Sequence, residues 1–223
     1  MASKADTQAS PARLYLVSPR LGEAESFAGP LEAALDAAEI ACVLLDLRGA
    51  DPGTAKKIVQ TLAPLAQQRD AALLIEGDPR LVARAGADGA HLRVSGDGLE
   101  DAIAGAVESL KPDRIVGCGG LKSRHDAMTA GEADIDYVMF GEPAADGWTP
   151  PFEATLEKTA WWSEVFNVPC VAFAASLANV GPLAEAGADF VALGAAIWDD
   201  PRGPASAARD AAAMIRAAKR PAR

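Results

Sequence analysis

The chain has 223 residues, of which 50% are hydrophobic and 5% aromatic, and its formal net charge is -10. That length suits one larger domain whose core is built mostly from Ala, Val, Leu and Ile. The acidic balance excludes a general nucleic-acid or anionic-membrane binder, because both need a basic face, and leaves room for a small anionic substrate held by a few local cations.

The opening "MASKADTQASPA" is polar and lacks an apolar signal core, so residues 1–12 read as a flexible tail. "RLYLVS", from Arg13 to Ser18, is the first strand. Phe27, Leu31, Ala34, Leu35 and Ala38 then share one helical face. "ACVLLDLR" is the second strand, and an Asp-Pro-Gly turn opens the helix that follows it, in which Pro64 predicts a kink or a break. Strands at "AALLIE", "GAHLRV", "RIVGCGG", "DYVMFGE", "PCVAFAA" and "DFVALGAA" follow in turn. Between them lie helical stretches at "DPRLVARAGA", "GLEDAIAGAVESL", "SRHDAMTAGEA", "EATLEKTAWWSEVF" and "LANVGPLAEAGA". "PASAARDAAAMIRAAK" closes the series, and residues 220–223 read as a tail. Ser123 is the expected N-cap of its helix.

This unbroken strand-helix rhythm predicts an α/β fold, a single (β/α)8 TIM barrel over residues 13–219. An open doubly wound sheet is the second choice, disfavoured because the first strand lacks a G-x-G-x-x-G fingerprint. "RAGADGAHL" and "EAGADFVAL" repeat a Gly-Ala-Asp entry into a strand, with "EADIDYVMF" a looser copy. In a barrel those turns lie on the face away from chemistry, so Asp88 and Asp189 read as turn residues.

Cys42, Cys118 and Cys170 each fall in a strand and lack metal-ligand spacing, which predicts reduced, buried thiols in a cytoplasmic protein. No apolar run approaches the roughly 20 residues that a membrane-spanning helix needs. His91, alone within a strand, reads as a hydrogen-bonded core residue. His125 reads as surface. "GEPAADGWTPPFE" is the longest irregular stretch and falls on the side where barrel enzymes do their chemistry, which suggests a partly rigid rim.

Candidate chemistry therefore collects at the C-terminal strand ends. Asp46 and Arg48 alternate with Leu45 and Leu47, so both point into the barrel mouth, and Glu76 joins them. Two readings stay open for this cluster: an anion or metal pocket, or an ion-pair layer capping the core. Arg20, Arg93, Asp97, Gly119, Lys122, Gly141, Glu142 and Gly194 also lie at or just past strand ends.

The residues resemble the thiamine-phosphate synthase/TenI barrels from "RLYLVS" to "LGAAIW", most closely in "LVARAGADGAHLR", "ADIDYVMFGEP" and "LAEAGADFVALGAAI". The resemblance implies a barrel that joins a pyrimidine diphosphate to a thiazole phosphate with Mg2+, giving thiamine phosphate, and implies no organic cofactor. It also implies a small phosphorylated ligand, with no nucleic acid, no membrane and an open question of homo-oligomerisation. The ligand motifs depart from the family. Its Gln-x-Arg-x-Lys is here Asp46, Arg48 and Ala50. Its metal-binding Asn-Asp is Glu76 and Gly77, and its second metal Asp is matched one position late by Asp97. Gly119 replaces a serine, and Gly141 alone survives from the next loop. Ala174-Ala175 and Gly194-Ala195 stand where the family holds thiazole phosphate. Arg93 with Lys122 offers a replacement anion site. Leu121 replaces the tautomerase branch's histidine. The expectation is a thiamine-phosphate synthase-like barrel with weak or lost activity. The alternatives are a non-catalytic or repurposed barrel binding a small ligand or a partner, and a different phosphate-handling enzyme.

Overall fold

The structure, a computed structural model, describes residues 10–144 and 146–219; the tails expected at either end lie, apart from residues 10–12, outside the described residues. Eight parallel strands close into a barrel in sequence order, with the last paired to the first. They are β1 (Arg13–Arg20), β2 (Ile40–Asp46), β3 (Ala72–Glu76), β4 (Gly89–Arg93), β5 (Ile115–Gly119), β6 (Tyr137–Phe140), β7 (Cys170–Phe173) and β8 (Phe190–Leu193). The helices between them are α1 (Glu25–Ala37), α2 (Pro52–Gln67), α3 (Pro79–Ala85), α4 (Leu99–Leu110), α5 (Arg124–Glu132), α6 (Phe152–Val165) and α7 (Val180–Glu185). A one-turn α8 (Ala195–Trp198) and the longer α9 (Pro204–Ala217) follow β8. The predicted (β/α)8 barrel is the observed fold, and the open sheet is excluded.

Three local expectations are corrected. Pro64 does not break α2, because it sits in the last turn and the helix reaches Gln67. The stretch expected as one helix from Leu177 begins as a 3-10 turn, Leu177–Asn179, before α7. The apolar tail of the last predicted strand instead turns at Gly194 into α8.

Strand alternation divides the core into two layers. Tyr15, Cys42, Leu44, Leu74, Tyr137, Met139, Val171 and Phe173 fill the barrel interior. A larger apolar layer, including Leu16, Val43, Leu45, Leu73 and Trp162, lies between strands and helices. The interior is not purely apolar. Tyr15 and Tyr137 share a hydroxyl hydrogen bond of 2.9 Å, and the Tyr137 hydroxyl lies 2.9 Å from His91 Nδ1. Gly117 makes this possible, since a Cβ there would overlap the Tyr137 ring. All three cysteines are buried, as expected.

The Asp turns have a shared geometry. The Asp88 amide donates to the Leu73 carbonyl at 2.8 Å, and its carboxylate accepts from the Leu73 amide at 2.8 Å. Asp136 treats Val116 the same way, at 2.8 and 2.7 Å, and Asp189 treats Cys170 the same way, at 2.9 Å in both directions. Each aspartate thus ties an even-numbered strand's entry to the start of the strand before it, at the end of the barrel opposite the mouth.

Candidate functional site

The mouth is built by the alternation read from the sequence. Cys42, Leu44 and Asp46 point inward along β2, and Asp46 is the last and only 6% exposed. Its amide donates to Ser18 Oγ at 2.9 Å, which fixes the end of β2 against the end of β1. Asp46 grips Arg48 in a fork: Nε donates to Oδ1 at 2.9 Å and Nη2 to Oδ2 at 2.5 Å. Arg48 Nε also lies 3.6 Å from Glu76 Oε1, and Glu76 Oε2 accepts from Arg93 Nη2 at 2.9 Å. Arg93 Nη1 donates to the Pro143 carbonyl, anchoring the loop after β6 over the mouth.

The result is an alternating ladder, Asp46–Arg48–Glu76–Arg93, whose formal charge is zero. Fork-shaped Arg–carboxylate pairs are the strong, geometrically fixed kind. Burial pushes the Asp46 carboxyl up, but the Arg48 hydrogen bonds outweigh burial and hold it below its usual value. The Asp46 hydrogen bonds in turn raise Arg48. Arg48 Nη1 and Arg93 Nε are buried without a hydrogen-bond partner. Arg20 stands beside the ladder and joins Arg48, Arg93 and Gly194 around an axial recess of about 290 Å³. The sequence placed Arg20 at the end of β1 without giving it a role.

The remaining expected residues divide. Gly194 opens on the recess, and a Cβ there would meet nothing closer than 3.6 Å. Ala175 faces the same recess, but Ala174 packs with the layer between strands and helices, so only one of the two added methyl groups narrows the mouth. Gly141 has φ +88, and a Cβ there would come within 2.5 Å of Thr155 Cγ2, so it serves helix packing. Gly119 gives room to Glu142 and His91: a Cβ would press on the Glu142 carboxylate and lie 2.7 Å from His91 Nε2. Asp97 lies apart, in a surface recess shared with His125 and Asp126.

Arg93 and Lys122 do line one cavity, together with Glu142 and Lys158, to which the sequence reading gave no role. This cavity, about 710 Å³, sits off the barrel axis over the ends of β4 and β5, under the loop joining β6 to α6. Trp148, Pro150, Pro151 and Leu121 supply apolar wall, and Glu142 and Lys158 supply polar atoms. Glu142 is 9% exposed, and its Oε1 accepts from the Gly120 amide. Burial raises its carboxyl above the ordinary value, against the lowering effects of the Gly120 amide and Arg93. Lys158, half-buried on α6, donates to the Leu121 and Lys122 carbonyls, each at 3.0 Å, and burial lowers it. The available signals were modest: Glu142 is two residues past β6, and Lys158 follows buried Thr155 by three on one helical face.

His91 is fully buried, with its pKa pushed down to about 3 by burial and then by Arg93, so it is a neutral interior residue. His125 is exposed. Among the described residues no three His, Cys, Asp or Glu side chains gather as a metal site, and no helix is long and apolar enough to cross a membrane.

The comparisons with known proteins agree with one another. The thiamine monophosphate synthase family profile matches residues 14–197. A thiamine-phosphate synthase from Rhodospirillum centenum is 41% identical over 89% of this chain and 95% of its own length. One from Hyphomonas neptunium is 35% identical over 88% of this chain and 90% of its own. Among solved structures, a thiamine phosphate pyrophosphorylase from Pyrococcus furiosus superposes with TM-score 0.74 at 19% identity, covering 92% of this chain and 96% of that one. A 3-hexulose-6-phosphate synthase gives TM-score 0.69 at 19% identity over 91% and 99%, which shows the fold alone.

Proposed function

The chain belongs to the thiamine monophosphate synthase family, and from that premise we propose that it is a diverged member with weak or absent coupling of pyrimidine diphosphate to thiazole phosphate. The observation that carries this reading is the ladder at the mouth. Both buried-edge arginines are already neutralised, Arg48 by Asp46 and Glu76, and Arg93 by Glu76. A diphosphate arriving there meets two carboxylates as well as two guanidinium groups, and like charges repel strongly where water is scarce. In the family's chemistry, charge neutralisation of the leaving diphosphate is the main catalytic device.

Mg2+ supplies part of that neutralisation in active relatives. The residues present do not fit it here: the Glu76 carboxylate is engaged by two arginines, and Asp97 is exposed in a separate recess. What this chain's own residues do is hold Arg48 and Arg93 rigidly in register across the mouth, close to Arg20. A small monoanionic phosphate ester is better matched to Arg20 and the Gly194 edge of the recess than a diphosphate is. A second reading, a barrel repurposed for another small molecule, is favoured by the off-axis apolar cavity. A cytoplasmic location without nucleic-acid partners completes the proposal, supported by three buried cysteines that lack metal-ligand spacing and by the net charge of -10.

The test is turnover of pyrimidine diphosphate with thiazole phosphate and Mg2+ by the purified, folded protein. The synthase from Rhodospirillum centenum is assayed beside it. The expected rate is at least about 100-fold lower, a barrier difference of roughly 3 kcal/mol. Comparable rates would overturn the reading.

A further inference from the structure

The interior of a (β/α)8 barrel is ordinarily filled to its lower end by layers of bulky side chains. Here the filling is incomplete at the end opposite the mouth. Cys42 on β2 and Ala72 on β3 are register partners there, and both are small. A cavity of about 440 Å³ results, opening among the strand starts. That volume falls within the roughly 300–1,000 Å³ usual for small-molecule sites.

The cavity has an apolar body and a charged rim. Leu74 and Val171 are buried in its wall, while Ala72, Ile115 and Phe190 are only half-buried and leave apolar surface at the opening. Tyr15 and Tyr137 close the inner end. Their hydroxyls bond to each other at 2.9 Å, and Tyr137 bonds to His91 Nδ1, so these groups are satisfied within the protein and face a ligand mainly with their rings. Burial pushes the Cys42 thiol up, so it offers no thiolate, and the chemistry of the cavity is binding and not bond-making.

Three charged side chains stand at the rim, Arg13, Asp70 and Asp136. Asp136 is spent: its carboxylate accepts from Lys111 and from the Val116 amide, each at 2.7 Å. Arg13 has a single loose ion pair, to Glu39 at 3.9 Å, and a guanidinium carries five N–H donors. Asp70 is exposed, and among the described residues its carboxylate has no hydrogen bond or ion pair. Its φ of +57 is one that glycine would adopt with less strain, so the backbone alone does not account for a carboxylate at this position.

We propose that this lower cavity binds a free apolar α-amino acid, with its carboxylate on Arg13, its ammonium on Asp70 and its side chain among Leu74, Val171 and Phe190. Both charges of the rim decide the class. A simple carboxylate would bring a negative charge to Asp70 without an ammonium to offset it, and a simple amine would do the converse at Arg13. A zwitterion with an apolar side chain answers both charges and the wall together. Its side chain would contact β3, β7 and β8 and its charged groups β1 and the residue before β3, so occupancy would tie the strand starts together. The site lies at the opposite end of the barrel from the Asp46–Arg93 ladder and stands or falls independently of the coupling reading.

The test is calorimetric titration of the full-length protein with L-phenylalanine, beside phenylpropionate and phenethylamine, each of which lacks one of its two charges. L-Phenylalanine is expected to bind at least about tenfold more tightly than either, a difference of roughly 1.4 kcal/mol. Arg13→Gln should bring it down to the affinity of phenethylamine, and Asp70→Asn, which tolerates the same backbone, to that of phenylpropionate. Ala72→Leu fills the cavity and should abolish the binding heat. L-Phenylalanine should raise the Tm of the wild type and not that of Ala72→Leu, and the unfolding curves report whether each variant is folded. No saturable binding up to about 10 mM would overturn the proposal. So would equal affinities for the three compounds, an affinity indifferent to both rim substitutions, or unchanged binding in folded Ala72→Leu.

Discussion

At the scale of single residues, the proposed loss of diphosphate binding turns on the charge of Glu76. Its two oxygens face Arg48 at 3.6 Å and Arg93 at 2.9 Å. Replacing it by Gln keeps the shape and removes the competing charge. Glu76→Gln is therefore predicted to tighten binding of inorganic pyrophosphate by about tenfold, or roughly 1.4 kcal/mol, read by titration calorimetry at low salt. An unchanged affinity would mean that Asp46 alone, or the shape of the recess, excludes the anion. Much of this cluster was legible beforehand, because the period of two in "LLDLR" puts Asp46 and Arg48 on one face without any tertiary knowledge. The bridge from Glu76 to Arg93 was not, since it depends on register: Glu76 pairs with His91, so the Arg93 side chain reaches back to it from two residues further along β4. Glu142 and Lys158 were harder still. Each is an ordinary charged residue in sequence, and only the missing Cβ of Gly119 and the packing of α6 bring them to one cavity.

At the scale of elements, the three Asp turns carry closure of the barrel from the side away from the mouth. Each carboxylate satisfies an amide at the start of the preceding strand, a donor that would otherwise be left without its partner. Asp88→Ala and Asp136→Ala are each predicted to destabilise the fold by about 1–3 kcal/mol, measured as a lowered urea midpoint at constant slope. Neither should alter ligand binding at the mouth. Gly141→Ala is predicted to cost more than either, because φ +88 strains any side chain there and its Cβ would meet Thr155 on α6. The sequence showed these turns as a repeat and assigned them to the stability face, since Gly-Ala-Asp recurs before β4 and β8. It did not show α8, because "LGAAIW" has no period long enough to tell a strand's end from one turn of helix.

At the scale of the whole molecule, the barrel interior couples the fold to pH through His91. The side chain is wholly buried, its Nδ1 shares a hydrogen bond with Tyr137, and its Nε2 has no partner. Burial, with Arg93 nearby, lowers its pKa from 6.5 to about 3. In the unfolded chain the imidazole takes a proton below 6.5, while in the native barrel it stays neutral down to about 3. Between those limits the unfolded state binds the extra proton, so acidification favours unfolding by roughly 1.4 kcal/mol per pH unit from this one group. Glu142 acts in the opposite sense: its raised carboxyl stabilises the native state below the ordinary glutamate value, and that contribution fades as pH rises through the folded value. The two oppose each other where their windows overlap, so the net acid slope should steepen in Glu142→Gln and flatten in His91→Gln. Urea midpoints measured in half-unit steps from pH 7 to pH 4 would show this. Parallel curves for wild type and His91→Gln would mean that His91 is charged in the barrel, and that the Tyr15–Tyr137–His91 ladder is a solvated feature of the interior and not a dry one.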